Sequence, residues 1–251
     1  MSIIHSFDEC MEAIINPKEV VERIEGFPKV VIATFSHKVM DVFSKLEGVV
    51  QVGVTRSVNG DVIIYKMNYK GKDIGFYMTP VGGSFATGTL EEIIAMGAEK
   101  VIVYGSCGSL DKNITAGHLI VPTDACRDEG VSYHYMKPSD YVTIEKADKL
   151  ASILNDLKIP YVKGKIWTTD AIYRETIGNM QKRKAEGCIA VDMECASLAA
   201  MCKFRGVEFF QFLYSADNLD SEKWEKRILG NLDLSERERY MIIAFEIASN
   251  I

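Results

Sequence analysis

Asp192 and Glu194 stand in CIAVDMECASLAAMC (residues 188–202), a stretch that is otherwise almost wholly apolar or small. Burying a carboxylate is costly unless it is paired or binds something, so the two acids predict a ligand or a partner. They lie two apart at a strand-to-helix junction and would point to the same side if the chain is extended there. Asp217 ends the apolar run FFQFLYSAD, and Asp170 ends IWTTD in the same way. Strand ends of an α/β sheet gather at one edge, where ligands bind. The competing reading for each acid is a helix N-cap. That structural reading is preferred for Asp170, which precedes AIYRET. Glutamate caps poorly, and the apolar flanks of Glu194 favour a ligand. Oxygen donors without clustered histidines suit sugar hydroxyls better than a transition metal.

Glycines form a second group. Gly105-Ser106-Cys107-Gly108 follows an apolar strand, and Val81-Gly82-Gly83-Ser84 ends another. Such turns let backbone amides approach an anion, with Ser106 or Ser84 adding a hydroxyl, although plain tight turns look the same. Neither segment has the spacing of a dinucleotide fingerprint or a P-loop. The four histidines (His5, His37, His118, His134) show no H-x-x-x-H or H-E-x-x-H spacing, so no metal site is expected. A G-x-S-x-G elbow is missing too, which argues against a hydrolase triad.

The elements that must position these groups alternate strand, glycine turn and helix. Strands are expected in KVVIATF (29–35), in the two runs of 62–83 joined at Lys70-Gly71, in KVIVYG, GHLIVPTDA, GKIWTTDA, CIAVD and VEFFQFLYSADNLD. Helices are expected in HKVMDVFSKL, in the run ending at Gly97, over 146–159, around 174–186, in the segment ending at Gly206, and in SERERYMIIAFEIAS, which carries RER at its polar start. No linker or repeat divides the chain. Residues 1–251 read as one α/β domain with a central mixed sheet and helices on both faces. A composition 47% hydrophobic and 25% charged fits a globular enzyme. A net charge of −6 without a basic stripe argues against nucleic acid as partner. The six cysteines include no C-x-x-C pair and read as free thiols of a reducing cytosol. With no signal peptide and no membrane-length apolar run, a cytoplasmic location is expected.

TPVGGSFATGTLEEIIAMGAEKVIVYGSCGSL, GHLIVPTDACRDEGVSYHY, TTDAIYRET, AVDMECASLAA and YSADNL occur in the order and spacing of the nucleoside phosphorylase family. That family holds purine and uridine phosphorylases and methylthioadenosine nucleosidases, and the resemblance covers roughly residues 28–220. It implies a partly barrel-like mixed sheet, dimers that often form trimers of dimers, and cleavage of a nucleoside with inorganic phosphate as co-substrate and no cofactor. Under the resemblance Glu194 accepts from the ribose hydroxyls, with Met193 against the sugar. Asp192 lies near the base, and Ile172 and Tyr173 form a wall beside it. Asp217 is the acid that protonates a purine as it leaves. Ser106, Gly105, Gly82 and Gly83 face the phosphate or the sugar.

Departures from the family pattern accompany the likeness. ATFSHK (33–38) replaces a glycine-aspartate-proline loop that ends in arginine; Lys38 takes the arginine's place, with His37 beside it. A second arginine is Val103 here. For a third, supplied across the dimer in purine members, Arg56 is the nearest candidate, and His5 could reach a neighbouring site. The glutamine-arginine pair that reads uracil is absent, and Asp217 favours a purine. Three readings stay open: phosphorolysis of a purine (deoxy)nucleoside, phosphate-independent hydrolysis or uridine phosphorolysis, and nucleoside binding without catalysis.

Overall fold

Asn16 opens the first helical turn, α1 (Pro17–Val20), with its own amide bonded to Glu19. The β-branched run that follows Pro28 then becomes β1 (Val30–Thr34), buried throughout. The computed structural model describes residues 3–5 and 7–251. After α2 (His37–Phe43) come a meander, β2 (Val50–Ser57), β3 (Gly60–Tyr69) and β4 (Lys72–Met78), and then α3 (Gly83–Met96). The chain continues through β5 (Lys100–Ser109), β6 (Leu119–Asp128), β7 (Tyr141–Thr143), α4 (Ala147–Asp156) and β8 (Tyr161–Thr169). It closes with α5 (Ile177–Ala185), β9 (Cys188–Asp192), α6 (Cys195–Arg205), β10 (Glu208–Asn218) and α7 (Leu234–Ser249).

The strands run β10-β6-β8-β9-β5-β1-β4-β3-β2, and an added β10–β5 pairing closes the first five into a mixed barrel. This is the expected α/β architecture with a partly barrel-like sheet. β1, β4, β5 and β10 run parallel, while β9 is antiparallel to β5. The turn expected at Lys70-Gly71 lies between β3 and β4, both residues in the left-handed region. Fully buried Ile32, Phe76, Ile102, Phe210, Phe212 and Phe245 fill the main core between the sheet and the helices.

One irregularity places the site. β1 pairs with β5 as far as Tyr104, and β9 takes over the same edge at Gly108. Between them Gly105, Ser106 and Cys107 pair with β10 alone. The sheet therefore splits at these three residues, the kind of opening where α/β folds bind ligands. Gly105-Ser106-Cys107-Gly108 is thus not the turn expected after a strand; it continues β5, and Ser106 is exposed in an otherwise buried stretch. No helix among the described residues is long and apolar enough to cross a membrane.

Candidate active site

Glu194 and Asp192 do not act as a pair. The chain leaves extended geometry at Glu194, whose φ is −136° and ψ −26°, so the two side chains part. Asp192 turns inward: its Oδ1 accepts from the Thr168 hydroxyl (2.7 Å), and its Oδ2 accepts from the amide of Cys195 (2.8 Å). It also takes the Glu194 amide at 3.3 Å and the Gln211 amide nitrogen at 3.5 Å. Asp192 thus anchors the start of α6, and its oxygens are occupied by protein donors rather than offered to a base.

Glu194 crosses to the next loop. Its Oε1 accepts from the Gly82 amide at 2.7 Å, at the N-terminus of α3. Gly82 has φ +95°, which a side chain would strain, and Gly83 lies so close to α6 that a Cβ there would fall 2.3 Å from Ser197 Oγ. These glycines therefore hold Glu194 and seat two helices; the Gly82 amide expected to face phosphate or sugar is already taken. Ser197 in turn donates to buried Glu129 at 2.5 Å. Half-buried Met193 lies between the two acids. Burial pushes both Asp192 and Glu194 above the usual carboxylate range, and the charge of Asp192 raises Glu194 further. Asp170 accepts from the Gly130 amide at 2.9 Å, the structural role preferred for it, although Thr176, not Asp170, caps α5.

Asp217 reaches the split from the opposite strand. A bulge in β10 between Ser215 and Asp217 inserts Ala216, so that Asp217 rather than Ala216 pairs with Gly108. Such an extra residue re-aims the side chain beyond it. Trp224 Nε1 donates to Asp217 Oδ2 at 2.7 Å. Burial raises the Asp217 carboxyl, against the pull of the Trp224 hydrogen bond and the charge of Arg227. Glu175 stands close enough for the Asp217 charge to be felt: burial first, then that charge, lift its carboxyl to about 7. Neither Trp224 nor Glu175 was among the residues expected from sequence. Ile172 and Tyr173, 47% and 96% exposed, lie on the short turn leading to Glu175.

The expected phosphate residues are only partly assembled. A cleft of about 90 Å³ beside the split is lined by Ser36, Val39, Gly105 and Ser106 among others, but by neither His37 nor Lys38, which are exposed on the first turn of α2. Val103 is buried in the core. Arg56 sits on β2, the outermost strand of the sheet, four positions from β5. Within one chain it is remote from Ser106. His5 is exposed in a short helical turn, and Ser6 lies outside the described residues. Among the described residues no group of three His, Cys, Asp or Glu side chains could hold a metal ion.

The model of the phosphorylase superfamily matches residues 29–243. The chain belongs to the nucleoside phosphorylase family. It is 27% identical over 154 residues to a guanosine phosphorylase of Halorubrum lacusprofundi, covering 59% of this chain and 63% of that protein, so the match spans less than two thirds of that relative. It is 26% identical over 216 residues to a purine nucleoside phosphorylase of the DeoD type from Vibrio cholerae, covering 82% and 86%. Among solved structures, a purine nucleoside phosphorylase of Toxoplasma gondii in complex with immucillin-H superposes with a TM-score of 0.74 at 20% identity. That likeness spans 96% of this chain and 97% of that one, and it is a likeness of fold.

Proposed function

We propose that the chain cleaves the N-glycosidic bond of a purine (deoxy)nucleoside by phosphorolysis, giving free base and a (deoxy)ribose 1-phosphate. The observation that carries this reading is the pair of buried carboxyls at the split in the sheet. Glu194 is held through its Oε1 at a helix N-terminus, and Asp217 is raised by burial beside Trp224. Glu194 Oε2 would accept from the sugar hydroxyls, replacing water around a buried charge. As the bond from C1′ to the purine nitrogen breaks, the sugar becomes oxocarbenium-like and the base gains electrons. Protonated Asp217 gives its proton to N7, so the base leaves neutral. A phosphate oxygen then bonds to C1′, and the proton phosphate sheds restores the acid. A general acid in this position contributes about 10²–10⁴-fold. The names of the Halorubrum and Vibrio relatives support purine chemistry.

Hydrolysis is the second reading, favoured by Lys38 and His37 standing outside the cleft and by Val103 being buried. Chromatography of inosine, guanosine, adenosine, uridine and methylthioadenosine after incubation with and without phosphate tests both. Sugar 1-phosphate formed from a purine nucleoside only with phosphate is the expected result. Base released equally without phosphate establishes hydrolysis, and tight binding with no base from any substrate leaves a binding protein.

A further inference from the structure

Glu129 lies just past β6, 7% exposed, and takes no part in the chemistry above. Its carboxylate is surrounded by donors. Oε2 accepts from the amides of Val131 (2.8 Å) and Ser132 (3.0 Å) and from the Ser197 hydroxyl, while Oε1 accepts from the Ser132 hydroxyl. That serine accepts in turn from Arg127 Nε at 2.8 Å, so a buried guanidinium and a buried carboxylate are joined through one hydroxyl. The other nitrogens of Arg127 donate to the carbonyls of Met136, Lys137 and Ser139, which closes loop 129–139 on itself. The loop needs nothing from Ser197 for this. Nor does α6 need Glu129. Its first amides are already claimed, those of Glu194 and Cys195 by Asp192 and that of Ala196 by Thr168 Oγ1 at 3.1 Å.

The bond from Ser197 to Glu129 therefore acts on the neighbouring helix. Gly83 is wedged between Ser197 Oγ and the Met193 carbonyl, 2.3 and 3.6 Å from where its Cβ would be. Gly82 precedes Gly83 and Glu194 follows Met193, so the wedge sets the 2.7 Å bond from the Gly82 amide to Glu194 Oε1. Without Glu129 the Ser197 side chain is free to leave its rotamer, and Gly83 loses the surface it packs on. The loop reaches Glu194 a second way. The amide of Gly130, next to Glu129, holds Asp170 at 2.9 Å, and the Asp170 charge is felt at Glu194. Only an acceptor suits the place of Glu129: all four of its contacts are donors, and a glutamine there would turn an NH2 group toward some of them.

We propose that Glu129 is a positioning residue for Glu194: through Ser197 and Gly83 it holds the Gly82 amide on the Glu194 carboxylate, and so sets the preference for a ribose over a deoxyribose. The preference rests on the proposed function, in which Glu194 accepts from the sugar hydroxyls; the positioning does not. Kinetics on inosine and 2′-deoxyinosine, with guanosine and 2′-deoxyguanosine as a second pair, compare wild type with Glu129→Gln, Ser197→Ala and Leu154→Ala. Leu154 is buried on α4, outside these contacts, and its truncation costs stability alone. KM for the riboside should rise roughly 10-fold in the first two variants and KM for the deoxyriboside less, with kcat held on both because Asp217 is untouched. Leu154→Ala should keep the riboside preference. Should Glu129→Gln not fold, Ser197→Ala carries the comparison. Gly82 gives a readout without substrate: hydrogen exchange at its amide, followed by NMR, should quicken in Glu129→Gln and Ser197→Ala and not in Leu154→Ala. In a chain that cleaves nucleosides, with phosphate or with water, an unchanged preference, or one that shifts equally in Leu154→Ala, overturns the role of Glu129. In a chain that cleaves none, the exchange decides. Quickened exchange then upholds the positioning while the proposed function falls, and unchanged exchange overturns the positioning as well.

Discussion

Asp217 is read as an acid because burial outweighs the Trp224 hydrogen bond at its carboxyl. Replacing it by Asn keeps the shape and removes the proton, so Asp217→Asn should lower kcat by about 10²–10⁴-fold with KM little changed. Steady-state kinetics on a purine nucleoside decides this, and full activity refutes the role. Burial, with the Asp217 charge added to it, lifts the Glu175 carboxyl to about 7. Asp217→Asn removes that charge, so Glu175 should ionise at lower pH in this variant. Carbon-detected NMR titration of the Glu175 carboxyl checks this, and an unmoved titration separates the two groups. Glu194 tests a different consequence. Its carboxyl ionises less readily in the folded chain than in the unfolded one, since burial and Asp192 raise it. The unfolded chain thus loses that proton first as pH rises. The contribution to stability is complete below the ordinary glutamate range and is lost above it. Glu194→Gln should therefore raise Tm by about 2–4 °C at neutral pH, where about 1 kcal/mol would be recovered, with the gain vanishing toward pH 4. The same variant should bind ribosides poorly, a trade of function against stability.

Helix α3 meets α6 through Gly83, and that contact holds the Gly82 amide against Glu194. A methyl at Gly83 would collide with Ser197 Oγ at 2.3 Å and Ser197 Cβ at 3.0 Å. Gly83→Ala should cost about 1–3 kcal/mol in chemical denaturation, and adding Ser197→Ala should restore only part of it, because the Cβ conflict remains. Full restoration would place the strain elsewhere. Much of this element level was legible in sequence. β1, β3 to β6, β8 to β10 and the long helices announce themselves as apolar runs closed by glycine or polar residues. β2 escaped because VQVGVTRS sits at the sheet's edge, half-exposed, with no unbroken apolar run. The GSCG segment looked like a turn because glycines punctuate chains; here Gly105 instead admits the Phe35 ring, 2.7 Å from where its Cβ would be. Asp192 looked like a ligand group for want of any sign that Thr168 and the α6 amides would claim it. Glu175, Trp224 and Arg237 reach the site through folding of distant segments, and no local pattern marks them. The RER of α7 was visible as charge, yet only the fold brings Arg237 to the cleft that Ser106 also lines.

The whole molecule leaves one part of the family pattern unfilled within a single chain. Arg56 lies on the outermost strand, remote from the barrel, so any role at a phosphate must be played in a neighbouring copy. The meander that carries it, β2 to β4, extends the sheet beyond the barrel and presents Val50 at 51% and Val58 at 103% exposure, while Val81 beside Gly82 is 65% exposed. Ile14 and Ile15 are also open, at 101% and 73%. Isolated exposed apolar residues need no explanation, but apolar side chains next to the loop that holds Glu194 fit a covered face. A second copy of the chain is the expected cover, as the resemblance implies. Light scattering coupled to size exclusion should give a homodimer or a multiple of it at micromolar concentration. If the dimer carries Arg56 into the neighbour's cleft, Arg56→Ala should raise the phosphate KM without changing the oligomer. A doubly substituted mixture tests the sharing directly. Co-assembled Arg56→Ala and Asp217→Asn chains would regain activity above that of either alone, since one of the two sites in the mixed dimer then holds Asp217 and a neighbour's Arg56. A monomeric, fully active chain would instead leave Arg56 as a surface residue.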